Sequence, residues 1–452
     1  MGTFRKPRTD PAGSTLAVWA NGERVGTWSV VRGEHRLAYA LGWIASPAGR
    51  PLSLSLPFTP GNAAHRGEVV RNYFDNLLPD SDTIRSRMAA RFTLGSTDTF
   101  DLLAALGRDC VGAVQLLPEG AFPQGFDRID CTPLDNRGVE QAIDAAVSGG
   151  PALGQHGEDD FRFSIAGAQE KTALLRHAGR WCRPMNATPT SHIFKLPLGL
   201  VGNMRADMHD SVENEWLCAR LMALLDFEVA PCAVARFGQR KVLVVARFDR
   251  LLQEPAGKPP WLARLPQEDF CQALGLPGTR KYEADGGPGI RAILRLLDAS
   301  ARPATDKLSF VLAQLAFWLL AATDGHGKNF SLFLERGGGY RLTPLYDVLS
   351  AWPIIGDGAS QVSPRRARLS MAIRGKSAHY HLHEIQTRHF EALALQSGVP
   401  DAFDRMVGLV LLVPLALEQA QAELPPGFPR HVFASIRHGM LAQAEKFVEG
   451  LP

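Results

Sequence analysis

The chain of 452 residues contains little cysteine, and its six cysteines are scattered. None forms a C-x-x-C pair or stands beside histidines at zinc spacing, which excludes a zinc ribbon and a disulfide-stapled scaffold. Scattered thiols in a chain of this size are typical of reduced core residues. We therefore expect a cytoplasmic protein.

Long hydrophobic runs are also lacking. The longest, residues 310–322, contains Gln314 and is too short to cross a bilayer. Residues 1–14 are polar and lack the apolar segment of a secretory signal, so we expect no membrane partner. The net charge of +3 and the pI of about 8.5 do not demand a nucleic-acid partner, so any basic surface must be local.

A Walker A loop is absent. The stretch "SIAGAQEKTALL" (164–175) ends like one at Lys171-Thr172, but Glu170 stands where the loop needs glycine. That glycine lets successive backbone N–H groups wrap a phosphate, whereas a carboxylate repels it. The stretch therefore fails as a Walker A loop.

The N-terminal third of the chain is rich in strand signals. Two apolar runs flank Asn21-Gly22, the strongest short signal for a hairpin, and a second hairpin is expected at Gly33. Helical segments follow at 68–79, 80–92 and 96–107, with Asp80 and Ser96 as the expected N-caps of the last two.

A glycine-rich, acidic stretch at 147–160 marks the expected end of this region. Strands flank a helix between 161 and 250, and from about 266 the chain is mostly helical. The exceptions are two short strand-like pieces around a glycine turn at 337–339. We predict an α+β, two-lobed fold divided into residues 1–150, 151–255 and 256–452.

The segment 321–351 carries the strongest chemical signal. Asp324 follows an apolar helix, Asn329 stands five positions later, and Asp347 follows a strand–turn–strand unit. Protein-kinase catalytic loops have Asp-x-x-x-x-Asn at this spacing, and a second metal-binding Asp follows. Phosphoryl transfer needs carboxylate and amide oxygens at metal distance on rigid backbone. The sequence therefore predicts Asp324 as the catalytic base and Asn329 and Asp347 as metal ligands.

A kinase also needs a strand lysine for the nucleotide phosphates, paired with a helix carboxylate. Lys195 in "SHIFKLP" precedes a long helix that carries Glu213 and Glu215. Asp210 and Glu213 stand at the spacing of a capping box, which gives Glu213 a local role. We therefore predict Glu215 as the partner of Lys195.

Seven stretches, in order and together, resemble the HipA serine/threonine kinase toxins, over about residues 15 to 445. They are "SIAGAQEKTALL", "HIFKLP", "VENEWLCARL", "RLPQEDFCQALGLP", "KYEADGGPGI", "ATDGHGKNFSLF" and "YRLTPLYDVLSA". The resemblance implies a two-lobed protein-kinase-like fold, distantly similar to phosphoinositide kinases, with an additional β-rich N-terminal subdomain. It also implies a type II toxin–antitoxin system. The partners would be a HipB-like helix-turn-helix antitoxin, operator DNA reached through that antitoxin, and a glutamyl-tRNA synthetase or similar enzyme as substrate.

The resemblance also implies roles for single residues, with ATP and Mg²⁺ as the ligands. The nucleotide-binding region would be 151–255, and the segment 244–250 would be the hinge that meets adenine through its backbone. Residues expected at the nucleotide are Ala166, Gly167, Ala168, Gln169, Lys195, Ala246, Phe248, His326 and Lys328. The loop at 164–172 would then bind phosphate in a non-Walker manner.

Ser164 matches the serine that family members autophosphorylate. A phosphorylated serine where nucleotide phosphates must bind would repel them, so the modification would inactivate the kinase. The glycine-rich piece at 283–290 is interpreted as a turn that borders the substrate groove.

A basic stretch at 363–376 is the one local concentration of positive charge that invites a DNA role. Its basic residues are Arg365, Arg366, Arg368, Arg374 and Lys376. Solvated surface is the default interpretation, and a DNA-backbone contact within an antitoxin complex is the sharper one.

Two other functions stay open on the residues alone. One is a small-molecule kinase of the aminoglycoside or homoserine type, whose catalytic loop has the same spacing. The other is a non-catalytic, DNA-bound co-repressor, against which the intact set of Lys195, Asp324, Asn329 and Asp347 argues.

Overall fold

The computed structural model describes residues 14–147, 169–202 and 205–451. In these ranges the chain forms both sheets and helices, in agreement with the predicted α+β class. No helix in them is long and apolar enough to cross a membrane. All six cysteines are free thiols.

The N-terminal subdomain is built on an antiparallel five-stranded sheet. Its strands are β1 (Ser14–Ala20), β2 (Glu23–Val31), β3 (Glu34–Tyr39), β4 (His65–Arg66) and β5 (Gln115–Pro118), in the order β4-β3-β2-β1-β5. Asn21 and Gly22 both have positive φ, at 48° and 84°, as a type I′ turn requires. The hairpin predicted there is confirmed, and Arg32 and Gly33 turn the second one in the same way.

Four helices accompany this sheet: α1 (Leu41–Ala45), α2 (Glu68–Asp75), α3 (Asp82–Arg91) and α4 (Thr99–Leu106). Both expected N-caps were wrong. Ser81 caps α3 by accepting from the Ile84 N–H, and Asp98 caps α4 by accepting from the Phe100 N–H. Asp80 stands one residue too early to cap, and its carboxylate makes ion pairs with lysines of the other lobe.

A six-stranded sheet follows, in the order β12-β13-β9-β7-β8-β6. In chain order its elements are β6 (Cys131–Leu134), β7 (Lys171–His177), β8 (Arg180–Pro184), β9 (His192–Lys195), β12 (Cys232–Phe237) and β13 (Arg240–Ala246). Also here are α5 (Asn136–Val147), the hairpin β10 (Gly199–Val201) with β11 (Ala206–Met208), and α6 (Ser211–Leu224). β6 and α5 precede residue 150, the predicted end of the N-terminal subdomain, but they pack with this second sheet.

The C-terminal region begins with β14 (Arg250–Gln253), β15 (Trp261–Arg264), β16 (Gln267–Asp269) and α7 (Phe270–Ala273). Its remaining elements are α8 (Ile290–Leu297), α9 (Pro303–Leu320), β17 (Ser331–Leu334), β18 (Tyr340–Leu342), β19 (Arg368–Arg374), β20 (Ala378–His381), α10 (Thr387–Ser397), α11 (Ala402–Ala422) and α12 (Arg430–Glu449). The large apolar core of this region surrounds α9, whose side chains from Leu315 to Leu320 are all buried.

The hairpin β19–β20 corrects the expectation that this region has strands only around residues 337–339. Five consecutive residues of β19, Leu369 to Ile373, are buried, so both strand faces are covered. A short apolar run that is buried on both faces cannot be told from a helical segment by its periodicity.

Candidate active site

The end of α9 delivers Asp324 to the surface of a cleft. Ala321 adopts the left-handed conformation (φ 49°), and the Ala322 N–H donates to the Phe317 carbonyl, which ends the helix in a tight turn. The chain then passes through Asp324, whose side chain is 57 % exposed, before it reaches a buried Asn329. A rigid, buried helix therefore presents a solvent-accessible carboxylate.

Asn329 is hydrogen-bonded to the backbone of both Asp324 and Asp347. Its Nδ2 donates to the backbone carbonyl of Asp324 at 2.8 Å and to that of Asp347 at 3.4 Å. Because the amide nitrogen is used within the protein, the amide oxygen is the atom that can bind a metal. Asp347 has a φ of 58°, a left-handed conformation that costs a non-glycine residue energy and is often found at functional sites.

Lys195 lies between two carboxylates. Its Nζ is 2.5 Å from Glu215 Oε1 and 2.7 Å from Asp347 Oδ1, and Lys195 and Glu215 are both buried. Burial opposes the ionisation of Asp347, but Lys195 and Lys171 outweigh it and hold the pKa of that carboxyl well below its usual range. Burial raises the pKa of Glu215 to about 7 although Lys195 favours its ionised form.

Lys171 is a second lysine at this point, and its role was not predicted from the sequence. It pairs directly with Lys195 in the register of β7 and β9. Burial, together with the positive charge of Lys195, lowers the pKa of Lys171 to about 8. The signal was present in the Lys171-Thr172 tail, which was set aside because the glycine before it is missing.

These residues surround one cavity of about 200 Å³. Every predicted site residue within the described ranges, apart from the basic stretch, lines it: Gln169, Lys195, Glu215, Ala246, Phe248, Asp324, His326, Lys328, Asn329 and Asp347. Apolar side chains such as Ile193, Val229 and Val245 form another section of the wall. A cavity with an apolar wall and charged groups at one place suits a nucleotide, which has a flat base and a charged tail.

In the predicted hinge segment, residues 244–250, some backbone N–H groups are already hydrogen-bonded within the protein. The Ala246 N–H donates to the Pro231 carbonyl and the Arg247 N–H to the Ser191 carbonyl. Ala246 can therefore offer only its carbonyl oxygen to a base. The Phe248 ring packs against Tyr346 and Phe333, with centroids 5.5 and 5.8 Å away.

Buried arginines fix the position of this hinge. Arg247 and Arg250 bind the carboxylates of Asp109 and Asp249, all four side chains being less than 5 % exposed. Asp109 follows α4 in the N-terminal subdomain, so that subdomain is joined directly to the hinge. Charges buried this deeply need such complete pairing.

His326 and Lys328, which lie between Asp324 and Asn329 in the sequence, are both buried. His326 Nε2 is 3.9 Å from Asp324 Oδ1, and burial lowers the pKa of the imidazole despite this neighbouring carboxylate. The Lys328 Nζ donates to Asn76 and Asp80 of the N-terminal subdomain rather than standing free in the cavity.

Tyr282 is a contact of Asp324 that the sequence analysis did not identify. Its hydroxyl donates to Asp324 Oδ1 at 2.6 Å, and its ring lies edge-on to His326. The turn predicted at 283–290 begins one residue after this tyrosine. Tyr282 itself gives no spacing signal, because it lies 42 residues before its partner in the chain.

The loop predicted to bind phosphate lies largely outside the described residues. This applies to Ser164, Ala166, Gly167 and Ala168. Gln169 is described, lines the cavity and donates its side-chain amide to the Leu196 carbonyl.

The residues of the basic stretch do not line the cavity; they lie on β19 and in the segments just before and after it. Arg365, Arg366, Arg368 and Lys376 are exposed. Arg374 differs from them, because its guanidinium is 2.6 Å from Glu283 Oε1. Its charge is therefore largely balanced within the protein.

The residue types at the site suit a divalent metal. Asn329 and Asp347 supply hard oxygen donors side by side, which is the ligand type that Mg²⁺ prefers. Protein sites for this ion often use only one or two carboxylates and leave other positions to substrate phosphates. No group of three or more His, Cys, Asp and Glu suited to a metal occurs in the described ranges of the chain.

Comparison with family models gives two matches. One described as "HipA N-terminal domain" matches residues 16–117, and one described as "HipA-like C-terminal domain" matches residues 163–412. The second alone covers more than half of the chain.

Curated relatives agree with these matches. The putative kinase Y4mE of Sinorhizobium fredii is 36% identical over 340 residues, which cover 74% of this chain and 77% of that protein. The serine/threonine-protein kinase toxin HipA of Shewanella oneidensis is 29% identical over 323 residues, or 69% of each chain.

A solved structure has the same fold. It is the HipA chain of a complex of HipA, HipB and operator DNA from Shewanella oneidensis MR-1. The TM-score is 0.76 with 24% sequence identity, covering 96% of this chain and 97% of that one. The predicted two-lobed, kinase-like fold is thereby confirmed.

Proposed function

The chain belongs to the HipA family of serine/threonine-protein kinase toxins, and from this premise we propose that it transfers the γ-phosphoryl group of ATP to a serine or threonine hydroxyl of a protein. One observation carries the proposal. The ion pair of Lys195 with Glu215 and Asp347 shares a single cavity with Asp324 and Asn329. Phosphoryl transfer by kinases requires these two groups together.

The nucleotide would lie with its base at the hinge. The Ala246 carbonyl would accept from the exocyclic amine, and the Phe248 N–H would donate to a ring nitrogen. Lys195 and Lys171, which are paired on neighbouring strands, would bind the phosphates. Asn329 and Asp347 would hold Mg²⁺, which neutralises charge on the phosphates when it is bound.

Asp324 performs the proton chemistry. The acceptor hydroxyl oxygen bonds to the γ-phosphorus, the bond from that phosphorus to the bridging oxygen breaks, and ADP leaves with the electron pair. The hydroxyl proton passes to Asp324, which is exposed enough to meet a protein side chain. Asn329 keeps the backbone of this aspartate in place.

Two further elements of the proposal concern regulation. Autophosphorylation of Ser164 would switch the kinase off, because Gln169 and Lys171, just downstream, line the cavity where phosphate must bind. A HipB-like antitoxin would hold the toxin on operator DNA; the family relative solved with HipB and operator DNA supports this. An aminoacyl-tRNA synthetase such as glutamyl-tRNA synthetase is the proposed substrate, by family resemblance, and the reaction would take place in the cytoplasm.

The test compares the wild type with Asp324→Gln after incubation with Mg-ATP, by intact mass and peptide mapping. We expect one added phosphate, on Ser164, in the wild type only, and equal ATP binding in both. Phosphate on neither, with ATP bound, would overturn protein phosphorylation and indicate a small-molecule kinase. Absence of ATP binding, from protein not already phosphorylated at Ser164, would indicate a non-catalytic co-repressor.

A further inference from the structure

Asp80 joins two loops of the C-terminal region to the N-terminal subdomain. It follows α2, and its Oδ1 is 2.9 Å from Lys328 Nζ while its Oδ2 is 2.9 Å from Lys281 Nζ. Lys328 belongs to the loop that carries Asp324 and Asn329. Lys281 belongs to the loop that carries Tyr282. One carboxylate of the N-terminal subdomain therefore binds both the loop that carries Asp324 and the loop whose Tyr282 contacts Asp324.

The ammonium group of Lys328 is fully engaged inside the protein. Besides Asp80, it donates to Asn76 Oδ1 at 3.0 Å and to the Asn76 carbonyl at 3.4 Å. An ammonium has three protons, so these three acceptors use all of them. The side chain is only 4 % exposed, which makes such complete pairing necessary. Lys328 is thus tied to the subdomain and is not free for a phosphate.

The backbone near Lys328 leaves little room for a larger residue and links the two loops. A Cβ on Gly278 would lie 3.0 Å from Asn76 Oδ1 and 3.3 Å from Lys328 Nζ, so a side chain at this position would crowd both. The Gly327 N–H donates to the Lys281 carbonyl, which links the two loops directly. Burial would raise the pKa of Asp80, but Lys328 and Lys281 lower it to about 2 and keep the carboxylate charged.

We propose that Asp80 is a positioning residue for phosphoryl transfer, and that Lys328 acts as its strut rather than as a phosphate ligand. By holding Lys328 and Lys281 together, Asp80 sets the position of Asp324 from two sides, through the loop backbone and through Tyr282. The N-terminal subdomain then belongs to the catalytic apparatus. This inference rests on the proposed kinase activity.

The main variant is Asp80→Asn, with Asp75→Asn as its matched control. Asp75 stands five residues earlier, does not line the cavity, and binds Arg85 and Thr99 within the N-terminal subdomain. For Asp80→Asn we expect the rate constant for phosphoryl transfer from Mg-ATP to fall by about tenfold or more, since small misplacements of reacting groups are costly. The Kd for Mg-ATP should stay close to the wild-type value. Asp75→Asn should keep the wild-type rate even if it unfolds at lower temperature.

Lys281→Met is a second variant that removes the more exposed half of the bridge, and we expect the same kind of defect from it. Hydrogen exchange supplies a readout that does not depend on activity. Deuterium uptake over residues 324–330 should rise in Asp80→Asn and stay unchanged in Asp75→Asn.

Three results would overturn the inference: a wild-type transfer rate in Asp80→Asn, equal loss in Asp75→Asn, or unchanged uptake over 324–330. Tighter ATP binding by Asp80→Asn would also overturn it, because a released Lys328 would then be a phosphate ligand. A wild type that neither binds ATP nor transfers phosphate would refute the proposed function instead, while the exchange data would still report whether Asp80 holds the loop.

Discussion

Glu213 and Glu215 stand two positions apart on α6 and face different partners. Glu215 binds Lys195 inside the cavity, whereas Glu213 binds Lys241, with the two atoms 2.7 Å apart, outside it. Residues two apart on a helix point in different directions, so this division follows from the helix itself. The expected capping box does not form, since Asp210 makes no side-chain cap, and Glu213 instead binds Lys241 on β13, 28 residues later in the chain.

This pair gives a matched test at the level of one residue. Glu215→Gln removes the charge that orients Lys195, so the Kd for Mg-ATP should rise by about tenfold, or ~1.4 kcal/mol. Glu213→Gln should leave ATP binding unchanged, because the pair of the buried Glu213 with Lys241 lies outside the cavity. Isothermal titration of both variants checks this, and equal effects would show that Glu215 has no special role in binding.

Tyr282 is the second residue with a testable role. Hydrogen bonds to charged groups contribute ~1.5 kcal/mol or more, so Tyr282→Phe should slow phosphoryl transfer by about tenfold without weakening ATP binding. Single-turnover kinetics measures the rate, with Tyr380→Phe on β20 as the control. A faster rate in Tyr282→Phe would mean instead that the hydroxyl competes with the substrate for Asp324.

Among the secondary-structure elements, β19 divides the arginines of the basic stretch into two groups that the sequence does not distinguish. Glu283 accepts from the Ala372 N–H at 2.6 Å and also binds Arg374, which fixes the strand to the loop of Tyr282. Arg374 is therefore committed to the fold. Arg365, Arg366 and Arg368 are left as the exposed charges that can meet a polyanion.

A salt titration distinguishes these two groups of arginines. In the proposed antitoxin complex, replacing Arg365, Arg366 and Arg368 together by Ala should weaken operator binding and lower the slope of log K against log salt by about 2 to 3. Arg374→Ala should leave the slope unchanged. A triple variant with the wild-type slope would show that these arginines are solvated surface residues that do not contact DNA.

At the scale of the whole molecule, the N-terminal subdomain docks on the C-terminal region through polar groups as well as apolar ones. The Leu54 N–H donates to Glu268 Oε1 at 2.9 Å, and the Ser53 and Ser55 hydroxyls donate to the Gln272 carbonyl. Glu268 is completely buried, and burial raises its pKa to about 8. This carboxyl is therefore protonated in the folded protein at neutral pH.

The raised pKa predicts a pH-dependent stability. Because the carboxyl ionises near its ordinary pKa only in the unfolded chain, the contribution of Glu268 is complete below about pH 4.5 and is lost as the pH rises towards 8. Glu268→Gln imitates the protonated form and should stabilise the protein by about 4 kcal/mol at pH 8 and by only about 1 kcal/mol at pH 5. Denaturant unfolding at both values measures this, with the exposed Glu391→Gln as control. A gain that is equal at both values would refute the titration of Glu268.

Features that depend on residues close together in the chain could be predicted from the sequence. The turn at Asn21-Gly22 needs two residues that tolerate positive φ, and those are local preferences. The spacing of Asp324 and Asn329 is set by one loop, so their meeting could be predicted. Lys195 and Glu215 could be paired because a strand lysine and a helix carboxylate have a known arrangement in kinases.

The groups that meet these residues from distant parts of the chain could be identified only in the folded protein. Asp80 and Lys171 line the cavity and Tyr282 binds Asp324, each from a separate segment of the chain. No spacing along the chain connects them to Asp324 or Lys195. Asp80, which the sequence predicts as an N-cap, stands one residue before the true cap Ser81, and its carboxylate binds lysines 201 and 248 residues further along the chain. Contacts of this kind depend on how buried surfaces of the lobes pack, and that packing lies outside what a local pattern encodes.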